Sequence, residues 1–397
     1  MRILYIHTRY MQSMGGEDTT VEAESELMRS KGHDVRLHLF DNAEVVGGTV
    51  GKLKAGASAI YNRASAAEIK KVVREFNPDV VHVHNFFFAA SPSILVAVKK
   101  MNIPLVTTIQ NYRLICANAL LLRNNKVCEL CVHSDFPWWG VKYKCYHHSS
   151  VQSAAIGAMA AVHKWRGTWK NAVDLYITPS AFLRNRHIDS SFGVPGEKIS
   201  VKRNFIADPG VADASSRKNF FLFVGRLSTE KGVHVLLEAW QGLPGDQLMI
   251  AGDGPERENL EKKYGEKNNI SFVGKKSKDD VIALMKQSKA LIFPSIWYEG
   301  LPLTIVEALA TGTPVIGSDL GAISEMINDG KNGLLFEAGS PGKLEDAIGR
   351  FKTLASASDS NLYNGARTSY LEYYHPDKCY LEVMRLYHQL IENKSRV

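Results

Sequence analysis

The chain alternates short apolar runs with segments of helical periodicity, and this alternation limits its fold more than any other feature. The run Val80–Val83 has the sequence VVHV, which is typical of a short buried strand. Just before it, Ile69, Val72, Val73 and Phe76 recur at i, i+3, i+4 and i+7, the spacing of one helix face. Because strands separated by helices pair side by side, the pattern predicts a parallel sheet with helices on both faces.

The alternation occurs twice along the chain. It covers 1–109 and then 220–336, whereas 110–172 lacks a regular period and holds four cysteines. We therefore expect two doubly wound α/β domains, over 1–204 and 205–375, with the irregular stretch as an insertion in the first. Ligands of such sheets bind at the carboxyl ends of the strands, so a cleft between two domains would suit a two-part substrate.

Composition excludes several classes of protein. With 45% hydrophobic and 22% charged residues in 397, the chain is neither disordered, nor collagen, nor a coiled coil. The N-terminal apolar run is too short for a signal peptide, and no stretch reaches the roughly 20 apolar residues of a membrane span. We expect a cytoplasmic protein whose five cysteines stay reduced.

The segment around Pro302 is the most informative one. Proline suits the first turn of a helix, and Gly312 marks its end. Free N–H groups at such a helix start favour an anion such as phosphate. Glu299 stands just before this start, and Glu307 lies inside the helix among apolar neighbours. A carboxylate there is costly unless it is hydrogen-bonded, and a ribose diol would offer two donors. The alternative is an ordinary helix with a solvated glutamate.

A second segment, 223–232, supplies two cations from one loop. It predicts a strand, a turn at Gly225 and a helix, with Arg226 and Lys231 between them. Arginine offers a bidentate fork to phosphate oxygens and lysine a point charge. Because no Asp-x-Asp occurs in the chain, the loop suits a diphosphate leaving group held without a metal. The alternative is a solvated basic loop.

Together these motifs resemble the retaining enzymes of glycosyltransferase family 4. The C-terminal half of that family is similar to GRLSTEKG (225–232), AGDGP (251–255) and YEGLPLTIVEALATGTPVIGSD (298–319). Its N-terminal half is similar to GGE (15–17), PDVVHVHN (78–85) and VTTIQNYRLIC (106–116). The resemblance implies a GT-B fold, with two Rossmann-like domains facing a central cleft. It also implies a nucleotide-sugar donor, retention at the anomeric carbon and catalysis that requires no metal or other cofactor.

The resemblance assigns roles to residues. Arg226 and Lys231 would hold the diphosphate, Glu307 the ribose hydroxyls and Glu299 the donor sugar. The implied catalytic group is Glu299, Arg226, Lys231 and His84. The implied donor-binding residues are Gly15, Gly16, Gly225, Arg226, Lys231, Gly274, Lys275, Glu299, Gly300, Leu301, Pro302, Leu303 and Glu307. The alternative for His84 is a strand-end histidine with a structural hydrogen bond. A C-terminal helix, 376–397, would pack back on the first domain.

One position departs from the family pattern. Many members carry histidine in a Thr-x-His stretch where this chain has Gln110, and glutamine cannot titrate. Gln110, Asn111 and Arg113 are the residues implied on the acceptor side. With no evident enzymic nucleophile, retention would proceed by front-face transfer, in which the leaving phosphate helps to deprotonate the acceptor.

Four of the five cysteines, Cys116, Cys128, Cys131 and Cys145, fall within 30 residues. A Cys-x-x-Cys pair with two flanking cysteines can close a tetrahedral zinc site, which would help to fold the irregular insertion. Unliganded thiols and disulfides are the alternatives. The histidines that compete as ligands are His133, His147 and His148.

Positive charge is concentrated in the first half of the chain. Residues 1–205 carry 26 basic and 16 acidic residues (net +10), and 206–397 carry 22 and 25 (net −3). The segment 99–170 alone holds 10 basic and 2 acidic residues, interleaved with Trp and Tyr. This combination suits an anionic membrane or a lipid-diphosphate acceptor, and the alternative is core aromatics beneath a solvated basic face. No nucleic-acid recognition motif is present.

The sequence therefore predicts a hexosyl-type retaining glycosyltransferase of surface polysaccharide biosynthesis. The donor would be a UDP- or GDP-sugar, and the acceptor a glycan or a polyprenyl-diphosphate-linked precursor. The protein would act in the cytoplasm, with peripheral contact at the inner face of the membrane. A nucleotide-sugar epimerase of the same fold and a non-catalytic scaffold of a polysaccharide assembly complex are the alternatives. The paired glutamates argue against the scaffold.

Overall fold

The structure is a computed structural model, and it describes residues 1–9, 15–42, 58–213, 217–356 and 361–395. The chain divides into two compact units. The first unit comprises Met1–Leu121, Cys128–Asn204 and Cys379–Val397, and the second comprises Leu122–Val127 and Phe205–Lys378.

The strands and helices alternate through both units. The strands are β1 (Arg2–Arg9), β2 (Asp34–Asp41), β3 (Val80–Val83), β4 (Leu105–Thr108), β5 (Leu122–Arg123), β6 (Lys126–Val127), β7 (Leu175–Thr178), β8 (Ile199–Val201), β9 (Phe220–Val224), β10 (Gln247–Ala251), β11 (Ile270–Gly274), β12 (Leu291–Phe293), β13 (Val315–Ser318) and β14 (Gly333–Phe336). The helices are α1 (Gly16–Ser30), α2 (Arg63–Phe76), α3 (Ser93–Lys99), α4 (Trp138–Lys142), α5 (Ser150–Trp165), α6 (Thr168–Asn171), α7 (Ala181–Ile188), α8 (Val233–Ala239), α9 (Arg257–Tyr264), α10 (Lys278–Gln287), α11 (Leu303–Ala310), α12 (Ala322–Met326), α13 (Pro341–Ser356), α14 (Leu362–Tyr373) and α15 (Pro376–Ser395).

The first unit is built on a six-stranded parallel sheet with the order β2-β1-β3-β4-β7-β8. Every residue of β3 is buried, as expected of a strand covered by helices on both faces. On α2, the predicted stripe of Ile69, Val72, Val73 and Phe76 is buried, so the helical periodicity is confirmed.

The C-terminal helix α15 belongs to the first unit. Val383 and Tyr387 share a buried core with Ile3 and Tyr5 of β1. At its far end, the Lys394 ammonium donates to the Ile103 carbonyl at 2.7 Å. The last two residues of the predicted helix 376–397 lie outside the described part of the chain. This helix therefore closes one side of the N-terminal sheet.

The second unit repeats the design with the order β11-β10-β9-β12-β13-β14, again parallel throughout. Helices cover both faces, with Phe221 and Trp240 in the core on one side and Leu222 and Ile305 in the core on the other. The residues of β9 join the two cores alternately, because successive side chains of a strand point to opposite faces.

The strand orders place one topological switch point in each sheet. In the first unit the chain reverses direction across the sheet between β1 and β3, and in the second between β9 and β12. Ligands of doubly wound sheets bind beside such points, at the carboxyl ends of the strands. The loops that follow these four strands are therefore the expected positions of a ligand-binding site.

The predicted insertion, 110–172, contains helices α4, α5 and α6 together with irregular loops. Among the described residues, ten that are not glycine have positive φ, and seven of them lie in 110–172. These seven are Ala119, Leu121, Asn124, Asn125, Lys144, His147 and His148. Across the described residues, no helix is both long enough and apolar enough to pass through a bilayer.

Candidate active site at the switch points

The loop after β9 lies directly against the loop after β12. Gly232 ends a single 3-10 turn (Thr229–Lys231) with φ +68°, and a Cβ there would come within 1.8 Å of the Pro294 carbonyl oxygen. Only glycine fits both this conformation and this approach. The Ile296 N–H also donates to the Glu230 carbonyl at 3.0 Å. The contact holds Lys231 beside the chain that leaves β12.

Glu299 is the centre of this contact. It is buried, and its Oε1 accepts from the Lys231 ammonium at 2.7 Å, the Ser295 hydroxyl at 2.7 Å and the Trp297 indole N–H at 2.9 Å. Three donors on one oxygen orient the carboxylate and compensate its burial. Within the described residues all of its hydrogen bonds fall on Oε1, so Oε2 is available to a ligand hydroxyl.

Glu307 lies on α11, which begins after Glu299. Pro302 occupies the N-cap position and the helix starts at Leu303, so the proline lies just before the first turn rather than in it. Its carbonyl accepts the first helical bond from the Val306 N–H at 3.4 Å and a shorter bond from the Ile305 N–H at 3.1 Å. Glu307 is partly buried, and its carboxyl group makes no hydrogen bond or ion pair with the described residues. Burial raises its pKa to about 7, although the Lys278 charge acts against the rise. A carboxyl left in this state is suited to receive hydroxyl donors.

The other predicted donor-site residues surround this centre in the second unit. Arg226 and Lys275 are exposed, and neither makes an ion pair with a described residue. Gly225 donates its N–H to the Ala251 carbonyl, and Gly274 accepts from Gly252. Of the remaining positions, Pro302 is buried, and Gly300, Leu301 and Leu303 are partly buried. The structure therefore joins Lys231 to Glu299 and leaves Arg226 and Lys275 open to an anion.

In the first unit, the Gly15–Gly16 segment is fixed at the carboxyl end of β1. The Gly15 N–H donates to Asp18 Oδ2 at 2.7 Å, and Asp18 Oδ1 lies 2.7 Å from His7 Nε2. Gly16 is the first residue of α1 rather than part of the preceding loop, because the Asp18 carboxylate caps the helix at this point. The backbone N–H groups at this helix start are held in place by a buried pair.

His84, at the end of β3, is buried with neither ring nitrogen in a hydrogen bond. Burial, together with the nearby His82, His7 and Lys202, lowers its pKa well below the usual value. The ring is therefore neutral at physiological pH and differs from a strand-end histidine held by a structural hydrogen bond. Its neighbour His82 has that structural role, with Nδ1 2.6 Å from the Tyr387 hydroxyl and Nε2 2.6 Å from the Thr108 hydroxyl.

The predicted acceptor-side residues follow β4. Gln110 and Asn204 exchange amide hydrogen bonds, at 3.0 Å for the shorter, and Asn111 donates to Glu17 at 2.7 Å.

Arg113 has a different environment. Its guanidinium lies between the rings of Phe87 and Tyr146, 5.3 and 5.4 Å from their centroids. Its Nε and Nη1 are buried without a hydrogen-bond partner among the described residues. Buried donors on a charged group are costly to leave unmatched, so an anion would relieve them.

The four cysteines of the insertion are free thiols. Burial raises the pKa of Cys116 and Cys131, and backbone N–H groups act in the opposite direction on both: Leu121 and Asn118 on Cys116, Gly140 and Trp139 on Cys131. Within the described residues, the one cluster with the spacing of metal ligands is Glu24, His82 and His84. No three cysteine sulfurs of this part of the chain are that close.

A cation already occupies that Glu24 cluster. The Lys202 ammonium lies 2.5 Å from Glu24 Oε2, and the Tyr5 hydroxyl donates to Oε1 at 3.2 Å. The group is therefore an internal ion pair.

Sequence reasoning missed five residues that contribute to these sites. Ser295 and Trp297 precede Glu299 by four and two residues. Hydrogen-bond donors so close to a motif carboxylate could have indicated that they bond to it. The His7–Asp18 pair was weakly signalled by an aspartate at the start of a helix. Nothing local signals Lys202, which lies 178 residues from Glu24.

Two family models match successive parts of the chain. A family model described as Glycosyltransferase Family 4 matches residues 14–208, and one described as Glycosyl transferases group 1 matches residues 206–368. The chain belongs to glycosyltransferase family 4. A glycogen synthase of Mycobacterium tuberculosis is 30% identical over 272 residues, which are 66% of this chain and 57% of that relative. A 42.6 kDa protein in the cps region of Klebsiella pneumoniae is 24% identical over 82% of this chain and 87% of its own length.

Solved structures confirm the predicted fold class of this family 4 chain. Anabaena HepE in complex with UDP has a TM-score of 0.70 at 16% identity, over 98% of this chain and all of that one. A glycosyltransferase from Rickettsia africae has a TM-score of 0.69 at 19% identity, over 99% of both chains. The GT-B class, with two Rossmann-like sheets, is therefore correct.

Proposed function

We propose that the protein is a retaining glycosyltransferase that uses a nucleotide-diphosphate sugar, with UDP as the first nucleotide to test. The observation that carries the proposal is the Lys231–Glu299 contact at the β9/β12 switch point, with Glu307 unpaired on the following helix. Lys231 and exposed Arg226 would hold the diphosphate, Glu299 the donor sugar and Glu307 the ribose hydroxyls. The UDP complex of the structural neighbour HepE supports this choice of nucleotide.

The chemistry would be front-face transfer. The bond between the anomeric carbon and the phosphate oxygen breaks, the acceptor oxygen bonds to the same face of that carbon, and the acceptor proton passes to the leaving phosphate. The two cations would stabilise the charge that develops on the diphosphate, so the transfer requires no metal. His84 enters as a neutral group that contacts substrate, since its lowered pKa keeps it uncharged.

The acceptor is proposed to be a glycan or a polyprenyl-diphosphate-linked precursor of a surface polysaccharide. Support comes from Arg113, whose buried Nε and Nη1 would be matched by an anionic group such as a phosphate. Gln110 and Asn111 would position the acceptor by hydrogen bonds, because neither side chain can titrate.

Removal of the cations tests the proposal. We expect Arg226→Ala and Lys231→Ala each to lower transfer from UDP-sugars by about 10²–10³-fold, because each removes charge stabilisation from the leaving group. Lys262→Ala, at an exposed position of the same unit, is the matched control and should keep full activity. Near-normal rates in both site variants would overturn the proposal.

Two further readouts separate the alternatives. The anomeric configuration of the first-formed product, measured by NMR, should match that of the donor, and inversion would contradict front-face transfer. Conversion of the donor sugar to its epimer with no acceptor present would instead identify an epimerase.

We also propose a structural zinc site in the insertion, held by Cys116, Cys128, Cys131 and Cys145. Backbone N–H groups directed at Cys116 and Cys131 support it, since thiolate ligands of zinc are commonly stabilised in this way. The sulfurs are more widely spaced than in a formed tetrahedral site, so zinc would draw them together. Metal analysis of protein purified without added zinc should find one equivalent, and its absence would exclude the site.

A further inference from the structure

Helix α5 is apolar on two opposite faces. Ile156 and Met159 are buried against the first unit. On the other side, Val151 and Trp165 are 77% and 87% exposed, and Ala155, Ala158 and Val162 complete the stripe with partial exposure. Their spacing of four, three, four and three residues keeps them on one face of the helix. Fourteen residues separate Val151 from Trp165, so the exposed stripe is about 21 Å long.

The neighbouring segment around α4 also exposes large apolar side chains. It packs against α5 and exposes Trp138, Trp139 and Tyr143. The Lys142 ammonium lies 5.1 Å from the Trp139 ring and 5.8 Å from the Tyr143 ring. Aromatic rings beside a lysine form the combination that favours the boundary between water and lipid.

Beyond the C-terminal end of α5 lies an open basin of about 910 Å³ with a cationic lining. Arg63, Lys100 and Arg166 line it and make no ion pair with any residue in the described ranges. Lys99 also lines the basin and bonds Asp174 at 3.1 Å. Tyr61 stands on its wall, and Trp165 directly precedes Arg166 in the chain.

The charge of this face is mainly positive. Two acidic residues lie at its edges, where Asp135 pairs with Lys164 and Asp174 pairs with Lys99. From residue 136 to residue 173 the chain carries five basic and no acidic side chains. A protein partner would require acidic groups at matching positions, whereas the uniform charge of an anionic bilayer matches cations wherever they lie. An apolar stripe parallel to the surface, with Trp at its end, is also the form of an interfacial helix.

We propose that the α4–α5 face docks on an anionic bilayer, with the apolar stripe in the interface and a lipid phosphate in the basin lined by Arg63, Lys100 and Arg166. The inference extends the proposed function, since it specifies the surface by which the acceptor-binding unit would reach a membrane-embedded acceptor.

Vesicle sedimentation of the full chain tests the docking surface. Phosphatidylglycerol–phosphatidylcholine vesicles should bind the protein, and pure phosphatidylcholine should bind it far more weakly. Each surface cation strengthens partition about fivefold, so the triple variant Arg63→Gln/Lys100→Gln/Arg166→Gln should lose about a hundredfold. Trp165→Ala should lose about tenfold, and this loss should persist at high salt because it is not electrostatic.

A charge-matched control makes the result specific. Lys262→Gln/Lys267→Gln/Lys378→Gln removes three exposed cations of the second unit and should bind as the unmodified protein does. Equal losses in both triple variants, equal binding to neutral vesicles, or no vesicle binding would overturn the proposal. If inorganic phosphate stabilises the protein against thermal unfolding but the protein binds no vesicles, the proposal is also overturned, and the basin would instead bind a soluble anion.

Nucleotide affinity measured without vesicles separates this test from the proposed function. The basin variants should bind UDP normally, because their changes lie outside the donor site. If the protein docks on vesicles but binds no nucleotide sugar, the docking proposal stands and the transferase proposal fails.

Discussion

Two carboxylates withdrawn from solvent, one in each unit, have opposite environments. Glu24 of the first unit is fully matched, by the Lys202 ammonium at 2.5 Å, the Tyr5 hydroxyl at 3.2 Å and His82 at 3.5 Å. Burial acts to raise its pKa, but Lys202 and His82 outweigh burial and the pKa falls. Glu307 of the second unit has no such partner in the described chain, and burial raises its pKa to about 7.

The difference separates a carboxylate whose partners all lie in the fold from the carboxyl that we propose to bind the donor. Glu24 has its donors in the fold, including Tyr5, whose hydroxyl in turn contacts Tyr387 of the C-terminal helix. Glu307 lacks them, and in the proposed function the hydroxyls of the donor would offset that cost. Glu299 lies between the two cases, with one oxygen matched by three donors and the other available. Three variants test this distinction.

Removal of the cation from the matched pair should have the largest effect on stability. Lys202→Met leaves the Glu24 carboxylate buried without its partner, and breaking such a pair costs about 3–5 kcal/mol. Urea unfolding monitored by circular dichroism measures the change. The double variant Glu24→Gln/Lys202→Met removes both charges and should recover most of the loss. A single variant as stable as the unmodified protein would contradict the structural role.

Removal of the unmatched carboxyl of Glu307 should have the opposite effect and raise the free energy of unfolding at neutral to basic pH. Because the pKa of Glu307 is raised to about 7 in the folded protein, the folded state holds a proton that the unfolded chain releases near its ordinary pKa of 4.5. Its contribution to stability therefore falls as pH rises from 4.5 to about 7, by about 2–3 kcal/mol. Glu307→Gln should remove this decline and be more stable at pH 8. The difference between the two unfolding curves measured from pH 4.5 to 8 is the test, and parallel curves would contradict it.

The smallest effect is expected at the edge of the Glu24 network. Tyr387→Phe removes the hydrogen bond to His82 and the contact with Tyr5, at a cost of about 1 kcal/mol. Thermal unfolding should show the loss, with UDP binding unchanged. Tyr380→Phe is the matched control on the same helix. It removes a partly buried hydrogen bond to His33 and should lower the stability less.

Local patterns predicted the two sheets and drew attention to Lys231 and Glu299, because periodicity and motif spacing are properties of neighbouring residues. The contact between Glu299 and Lys231 was not predicted, because it depends on the strand order that places β9 beside β12. The Glu24 network could not be predicted, because His82 and Tyr387 are 305 residues apart and meet only when α15 packs. The exposed apolar face of α5 could not be predicted either, because the sequence of an alanine-rich helix does not show which of its apolar faces packs against the rest of the protein.

Proton release on nucleotide binding tests the central claim most directly. Ribose hydroxyls should stabilise the ionised form of Glu307 and lower its pKa, so binding near pH 7 should release about half a proton from this group. Calorimetric titration with UDP in two buffers of different ionisation enthalpy measures that release. The account predicts that Glu307→Gln binds UDP about tenfold more weakly and releases about half a proton less. Equal affinity and equal proton release in the two proteins would contradict the assignment of Glu307 as the group that receives the donor.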